Sequence, residues 1–213
     1  ISNAYDLSQL DPRLVGSNFN VILERTVREL RGQPCITTNN FMEPKKQIMV
    51  SRSFGRSITS KKILSEAISF HASRAAEKLR HESQKCRIIT AFIRSNRFNN
   101  NIKQIYASRH IELAYPTDDS RIIIKNANQI LNSVFMDGYQ YSKAGVLLSD
   151  FTKSYGYQMS LFDKNIDSKS SRELMRTVDH INMMEIARIG FGNQGFINTC
   201  LLYTSDAADE SVG

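Results

Sequence analysis

The sequence predicts an α+β fold, with one four-stranded sheet that carries two helices on one face and leaves the other face open. Two observations support this prediction. Between residues 47 and 151, two stretches with apolar residues at helical spacing alternate with four short stretches rich in apolar residues. Their order is strand, helix, strand, strand, helix, strand, which is the split βαβ arrangement. The free sheet face of such a domain can lie on a ligand.

The first half of the pattern is a strand followed by a long helix. Residues 46–54 place Ile48 and Val50 in a polar frame, and Gly55 is expected to end this strand. Thr59 or Ser60 is then expected to cap a helix. The residues that define its buried side recur at helical spacing: Ile63, Leu64, Ala67, Ile68, His71, Ala75 and Leu79.

The second half contains three more strands and one helix. Residues 86–94 are rich in β-branched side chains and predict the second strand, and residues 97–108 predict a polar, hairpin-like excursion. The third strand is expected at 110–115 and the fourth at 144–151. Asp118 and Asp119 suit the N-terminus of the second helix, which Gly138 ends.

Positive charge is concentrated in the middle of the chain. Residues 45–109 contain fifteen Lys and Arg and three acids, a net charge of +12, whereas the rest of the chain carries −5. Such segregation is typical of a surface that binds phosphates, because each cation that neutralises a phosphate releases condensed counterions. A merely solvated basic face is the alternative.

Composition argues against several other classes of protein. Cys35, Cys86 and Cys200 are widely scattered without a CxxC pair, which fits a reducing compartment and neither a disulfide framework nor a zinc site. The four histidines have no metal-ligand spacing. No apolar run approaches the roughly 18 residues of a membrane span, and the first ten residues do not resemble a signal peptide. A cytoplasmic protein is therefore expected.

Five separated strings resemble one family of enzymes. SRSFG at 51–55, RAAEKLR at 74–80 and PTDDS at 116–120 resemble the little-finger domain of Y-family DNA polymerases. YSKAGVLLSDF at 141–151 and ERTVRELRG at 24–32 narrow the resemblance to the UmuC branch, the catalytic subunit of DNA polymerase V. The resemblance covers about residues 5–199, and its strings occur in the right order.

The resemblance implies a division of the chain into segments. The little finger of this family is a split βαβ domain that lies along the DNA duplex, in agreement with the fold and charge derived above. Residues 200–213 resemble a translated sequencing adapter and are expected to be non-native. The other expected segments are a helical thumb remnant at 1–33, a linker at 34–46, the little-finger DNA-binding domain at 47–151, a linker with a clamp-binding peptide at 152–170 and part of the UmuC C-terminal domain at 171–199.

The implied activity is that of an error-prone translesion polymerase of the SOS response. In the Y family, the carboxylates that hold Mg²⁺ belong to an N-terminal palm, and this sequence resembles only the domains after the palm. No catalytic residue, metal or cofactor is therefore assigned to this chain. Asp118 with Asp119 and Asp206 with Asp209 are close acid pairs, but the first pair is better explained as a helix cap. The implied partners are DNA, the β sliding clamp, a processed UmuD-type dimer and RecA.

A template-holding domain needs sequence-independent contacts to phosphates, so Arg, Lys and short hydroxyl side chains are the candidates. For each candidate alone, a solvated surface residue is the alternative. The predicted DNA-binding residues are Ser51, Arg52, Ser53, Arg56, Lys61 and Lys62, followed in rank by Arg87, Arg94 and Arg97.

A short apolar motif comes after the fourth predicted strand. Gln158, Met159, Leu161 and Phe162 resemble a sliding-clamp-binding peptide, in which a Gln fixes register and two hydrophobic anchors enter pockets. A stray packing pair at the end of a domain is the alternative.

Two other functions remain open at this point. A free-standing RNA-binding module of RRM type shares the order of strands and helices, but it requires stacking aromatic residues on its third strand. Residues 110–115 (HIELAY) lack that pattern, and Phe92 is isolated in the sequence. The other alternative is a clamp-interaction protein whose basic segment only confers solubility.

Overall fold

The computed structural model describes residues 1–35, 44–99, 101–153, 169–184 and 189–195. The chain forms two compact units, Ile1–Pro44 and Lys45–Gly213. No helix in the described ranges is both long and apolar enough to cross a membrane. The predicted residues 158–162, 206 and 209 lie outside the described part of the chain.

The first unit contains three short helices. The sequence predicted a helical segment at 1–33 but not its division into three helices. Each helix begins after a residue whose side chain accepts a hydrogen bond from a backbone N–H of the first turn: Asn3, Asp11 and Asn20. The helices are α1 (Ala4–Gln9), α2 (Pro12–Asn18) and α3 (Val21–Leu30).

Two buried valines and one arginine hold these helices together. Val15 and Val27 are almost completely removed from solvent. Arg31 donates from Nε to the carbonyl of Ser8 at 2.6 Å and from Nη2 to the carbonyl of Leu10 at 2.8 Å. The guanidinium thus satisfies carbonyls at the end of α1 that have no partner within that helix.

The second unit has the predicted order of elements, and the α+β fold class is confirmed. Its elements differ from the predicted bounds: the second, third and fourth strands are longer by a few residues, and the second predicted helix ends at Val134, before the expected end at Gly138. In chain order they are β1 (Gln47–Ile58), α4 (Lys61–His81), β2 (Gln84–Arg94), β3 (Tyr106–Thr117), α5 (Ser120–Val134), β4 (Tyr141–Lys153) and α6 (Lys169–Met183), with a 3₁₀ turn at Gly192–Gln194.

The four strands form one antiparallel sheet in the order β1-β4-β2-β3. The last strand, β4, therefore lies between β1 and β2, which run parallel to each other and are joined by α4. In the same way β2 lies between β3 and β4, which α5 connects. This is the split βαβ topology, and it places β4 and β2 in the centre of the sheet.

The helices α4 and α5 cover one face of the sheet and bury the core between them. Alternate strand residues, such as Val146 on β4 and Ala91 on β2, point to this side and are fully buried. The largest fully buried apolar side chains of this core are Leu64, Ile68, Leu79, Ile89, Ile93, Ile123, Ile130, Leu131, Tyr141 and Leu148. The two layers therefore share a single core, and the second sheet face remains outside it.

The second face is defined by the residues that alternate with the core. Because directly paired residues share a face, the strand register assembles them into rows across the sheet. From one end to the other, in the order β1, β4, β2 and β3, these rows are Ser53–Lys143–Arg94–Tyr106, Ser51–Gly145–Phe92–Ser108, Met49–Leu147–Thr90–His110 and Gln47–Ser149–Ile88–Glu112. We call this surface the open face.

The end of β1 departs from the prediction. Gly55 does not end the strand, because a bulge between Ser53 and Ile58 lets the chain rejoin the ladder opposite Tyr141. Within the bulge, Phe54 is 7% exposed and joins the core, while Arg56 is exposed. The buried ring thus anchors a bulge that presents Arg56 to solvent.

The start of β3 also differs from the prediction. Residues 106–108 were expected in a polar excursion, but β3 begins at Tyr106 and the connecting loop is shorter. The ladder continues past Arg94, because the N–H of Ser95 donates to the carbonyl of Ile105 at 2.9 Å. As a result, Tyr106 lies in register with Arg94 on the open face.

Helix α6 packs against the helical layer of the second unit. Met175 and Val178 are 2% and 8% exposed. Arg80 on α4 donates from Nε and Nη2 to the two carboxylate oxygens of Asp179, each at 2.6 Å. Ser171 Oγ donates to Asp119 at 2.6 Å. The tail helix is therefore joined to the sheet domain by both apolar burial and charged hydrogen bonds.

Candidate nucleic-acid interface

The strongest charge feature of the second unit lies at one end of the sheet. The end of β1, the start of α4, the loop between β2 and β3, and the start of β4 meet there, since the antiparallel register brings them together. We call residues 51–64, 92–108 and 135–145 the basic end. Its one acid is Asp137, and its eight cations are Arg52, Arg56, Lys61, Lys62, Arg94, Arg97, Lys103 and Lys143.

The opposite end of the sheet is nearly neutral. Residues 44–50, 81–91, 109–120 and 146–153 contain six Lys and Arg and five acids. Four of these residues form two ion pairs, Lys45 with Glu82 at 2.6 Å and Arg87 with Glu112 at 2.8 Å. Of the two ends of the sheet, only the basic end thus carries a large excess of positive charge.

Two cations of the basic end lie side by side on the open face. Lys143 is paired with Ser53 on one side and with Arg94 on the other. Both cationic side chains are partly exposed. Ser51 lies in the next row beside Gly145. This part of the open face therefore presents two charges and two hydroxyl groups, which are suited to bind phosphate oxygens.

Arg52 has a different position from its neighbours in the sequence. It is paired with Ala144, a core residue, so it projects to the helical side of the edge strand, where it is exposed. Ser51, Arg52 and Ser53 were predicted together, but the alternation of the strand divides them between the two faces. Arg52 contributes to the potential of the basic end from its edge.

Lys61 and Lys62 occupy the first turn of α4. This turn contains no acid, and the capping residue, Ser60, makes no side-chain hydrogen bond to it. Cations at a helix N-terminus are unfavourable, because the N–H groups there already carry partial positive charge. Lys61 Nζ lies 5.7 Å from the centre of the Phe135 ring. An arriving phosphate would relieve the repulsion at this turn.

The remaining predicted residues, Arg87 and Arg97, lie at opposite ends of the sheet. Arg97 is exposed in the loop after β2 and belongs to the basic end. Arg87 lies at the other end, where it is paired with Glu112 and donates from Nε to the carbonyl of Leu113 at 3.3 Å. The structure therefore brings together all the predicted DNA-binding residues except Arg87.

Burial and two cations of the basic end lower the pKa of a histidine in the core. His71 on α4 is completely buried. Burial, with added repulsion from Arg52 and Lys143, lowers the pKa of His71 to about 4. The imidazole is therefore neutral at pH 7. His71 is a core residue and not a phosphate contact.

The acid pair at Asp118 and Asp119 has a structural role. Asp119 caps α5 by accepting from the N–H of Arg121 at 2.8 Å, and it also pairs with the Arg121 guanidinium at 2.6 Å. These bonds, together with that from Ser171, lower the pKa of the Asp119 carboxyl although its burial opposes them. Within the described ranges, no group of three or more His, Cys, Asp or Glu could hold a metal ion.

Sequence reasoning missed two cations of the basic end. Lys103 was within the basic segment but in a stretch interpreted only as a polar excursion. Lys143 lies more than thirty residues beyond that segment, and only the insertion of β4 between β1 and β2 places it beside Arg94. Residues 135–145 contain one lysine and one acid, so local charge gave no signal for Lys143.

Comparison with known proteins identifies the family of this chain. The sequence profile of the impB/mucB/samB family C-terminal domain matches residues 45–161, more than half of the chain. The chain belongs to the impB/mucB/samB family. The match begins where the second compact unit begins and covers its whole sheet. Together with the relatives described next, this match confirms the resemblance to the UmuC branch.

Several curated members of the impB/mucB/samB family are similar over most of the chain. Protein ImpB of Salmonella typhimurium is 44% identical over 197 residues, 92% of this chain and 46% of the relative. Protein UmuC of Salmonella typhimurium strain LT2 is 43% identical over 182 residues, 85% of this chain and 43% of the relative. Protein MucB of Escherichia coli is 41% identical over 200 residues, 93% and 47% respectively. The chain spans less than half the length of these relatives.

Proposed function

We propose that this chain is the DNA-binding C-terminal part of an error-prone translesion DNA polymerase, and that the basic end holds primer-template DNA. The observation that carries the proposal is the gathering of eight cations and one acid at one end of an open sheet. Membership of the impB/mucB/samB family supports the polymerase context. It also favours this function over an RNA-binding module of RRM type.

The side chains of the basic end suit phosphates better than bases. They come from four separate segments, and most are long, exposed cations. Contacts of such cations with phosphates are independent of sequence, which a domain that holds damaged template requires. The hydroxyl groups of Ser51 and Ser53 add short hydrogen-bond donors on the open face.

Salt dependence is the direct test of this proposal. The logarithm of the affinity of the full chain for primed duplex DNA is expected to fall linearly with the logarithm of the salt concentration. The slope should be about −0.9 for each phosphate contact. Fluorescence anisotropy of a labelled primer-template between ~50 and ~300 mM salt measures that slope. Four or more contacts predict a slope near −4 or steeper.

Two outcomes would count against the proposal. Absence of binding at ~50 mM salt would leave the basic end as a solvated surface. Binding with a slope near zero would exclude a phosphate-based grip and would favour the alternative of a protein that only interacts with the clamp.

We further propose that Gln158, Met159, Leu161 and Phe162 bind the β sliding clamp. The support is the spacing of one Gln and two hydrophobic anchors in a chain of this family. Replacing Leu161 and Phe162 by Ala is expected to abolish retention of the chain on immobilised clamp while leaving DNA affinity unchanged. Retention equal to that of the unsubstituted chain would reject the motif.

The other roles of the parent polymerase remain proposals of the same kind. Nucleotide transfer would use Mg²⁺ held by palm carboxylates, and no residue of this chain is proposed for that step. Contacts with a processed UmuD-type dimer and with RecA are predictions from the resemblance, and a cytoplasmic location is a prediction from composition.

A further inference from the structure

Two aromatic side chains project into solvent at the basic end. Tyr106, the first residue of β3, is 69% exposed, and Phe98, in the loop before it, is 91% exposed. Single exposed aromatic residues need no special explanation, but these two lie among the cations of one charged surface. Tyr106 is paired with Arg94, and Phe98 is next to Arg97 in the chain.

Tyr106 rests on a fixed neighbour within the open face. Its ring centre is 6.3 Å from that of Phe92, and the two ring planes are inclined by 34°. Phe92 is only 8% exposed because its ring lies across Gly145, where an added Cβ would come within 2.5 Å of Phe92 Cζ. The missing side chain at position 145 thus makes room for Phe92, and Phe92 supports the inner side of Tyr106.

Hydrogen bonds brace the loop that carries Phe98. Gln104 Nε2 donates to the carbonyls of Asn96 and Asn99 at 3.0 and 2.7 Å. Ser95 Oγ accepts from the N–H of Ile105 at 2.8 Å, and Asn96 Oδ1 accepts from the N–H of Phe98 at 3.0 Å. Because the loop is held at both flanks of Phe98, the exposure of that ring is a built feature of the loop.

Exposed aromatic rings among cations are the combination that binds single-stranded nucleic acid. The cations hold the backbone, and every unpaired base offers a flat surface for stacking, whereas the bases of a duplex already stack on each other. We infer that Tyr106 and Phe98 stack on unpaired bases of DNA whose phosphates are held by the basic end. This inference rests on the proposed function and adds a preference for a single-stranded segment next to the duplex.

A protein partner is the competing occupant of these rings. The cations of the basic end, with Arg94 and Arg97 next to the rings, favour a polyanion, because a protein partner would have to supply many acids at the same surface. The site also differs from an RRM platform, since the rings come from the start of β3 and from a loop. The sequence did not reveal the pair, because residues 97–108 were interpreted as one polar excursion.

The test compares removal of each ring with its replacement by another ring. In the full chain, Tyr106→Leu and Phe98→Leu are expected to lower the affinity for a primer-template with a single-stranded overhang by about tenfold each. Tyr106→Phe and Phe98→Tyr keep a flat ring and should retain the affinity. Blunt duplex of the same sequence should bind all five proteins equally, and the salt slope should not change.

A fluorescent base in the overhang provides a second measurement. 2-Aminopurine is expected to be quenched on binding by the unsubstituted chain and by the aromatic replacements, and not by the Leu variants. Equal overhang affinities of the Leu and aromatic variants, with wild-type binding intact, would overturn the inference and leave the proposed function standing. The inference would also be overturned if the Leu variants lost as much affinity for blunt duplex as for the DNA with an overhang, since the rings would then support the fold or the contacts with duplex DNA.

Discussion

Removing six positive charges from the basic end is expected to lower the affinity for primer-template DNA by about a thousandfold at ~0.1 M salt. Each lost phosphate contact removes roughly one unit from the salt slope and about tenfold in affinity, so this expectation requires that at least three of the six contact DNA. In the variant that lacks these six charges, the slope of log affinity against log salt concentration should also be shallower by about three or more. The substitutions to Gln are at Arg56, Lys61, Lys62, Arg94, Arg97 and Lys143.

A matched control separates local contacts from overall charge. Six exposed cations outside the basic end are replaced by Gln, which changes the net charge by the same amount: Lys45, Arg109, Lys125, Lys153, Arg172 and Arg176. This variant should lose less than about tenfold in affinity and keep most of its slope. Equal losses in the two variants would contradict an interface at the basic end. Arg87→Gln, measured alone, tests whether DNA reaches the opposite end of the sheet.

Breaking the contact between Arg80 and Asp179 is expected to release α6 from the sheet domain. The packing of α6 on that domain should become less stable by about 3 kcal/mol. The two side chains are only 10% and 21% exposed, and Arg80 also donates to the carbonyl of Asp118 at 2.6 Å. In Arg80→Met, Asp179 would remain partly buried without its partner, which is the costly situation for an ion pair. Faster amide hydrogen exchange in α6, together with a lower urea midpoint, would report the loss.

Two further variants make this result specific. Arg74 on the same helix pairs with Glu77, but the two side chains are 52% and 27% exposed, so Arg74→Gln should cost less than about 1 kcal/mol. The double replacement Arg80→Met with Asp179→Leu removes both charges and should recover part of the loss. Unchanged exchange in α6 of Arg80→Met would show that burial of Met175 and Val178 alone holds the helix.

The order of the strands and helices could be predicted because each one has a local signal. Alternation identified β1, helical spacing identified α4, and the pair at Asp118 and Asp119 located the start of α5. The ends were less accurate where a tertiary contact decided them. Gly55 did not end β1 because Phe54 is buried in the core, and β3 began early because Ser95 pairs with Ile105.

The candidate site was predictable as a charged segment but not as a surface. Its predicted cations came from the count of Lys and Arg in residues 45–109, a local property. The segment also includes Lys45, which pairs with Glu82, and Arg87, which pairs with Glu112; both pairs lie at the far end of the sheet. No local pattern distinguishes these from Arg94 or Lys61.

By itself, the sequence determined the family, the α+β fold class and the excess of positive charge, because composition, periodicity and short motifs are properties of neighbouring residues. Only the tertiary structure decided how that charge is directed. The insertion of β4 between β1 and β2 brings Lys143 beside Arg94, and the register of β3 places Tyr106 next to Arg94 in the same row. Contacts between residues distant in the sequence depend on strand pairing, which no local pattern specifies.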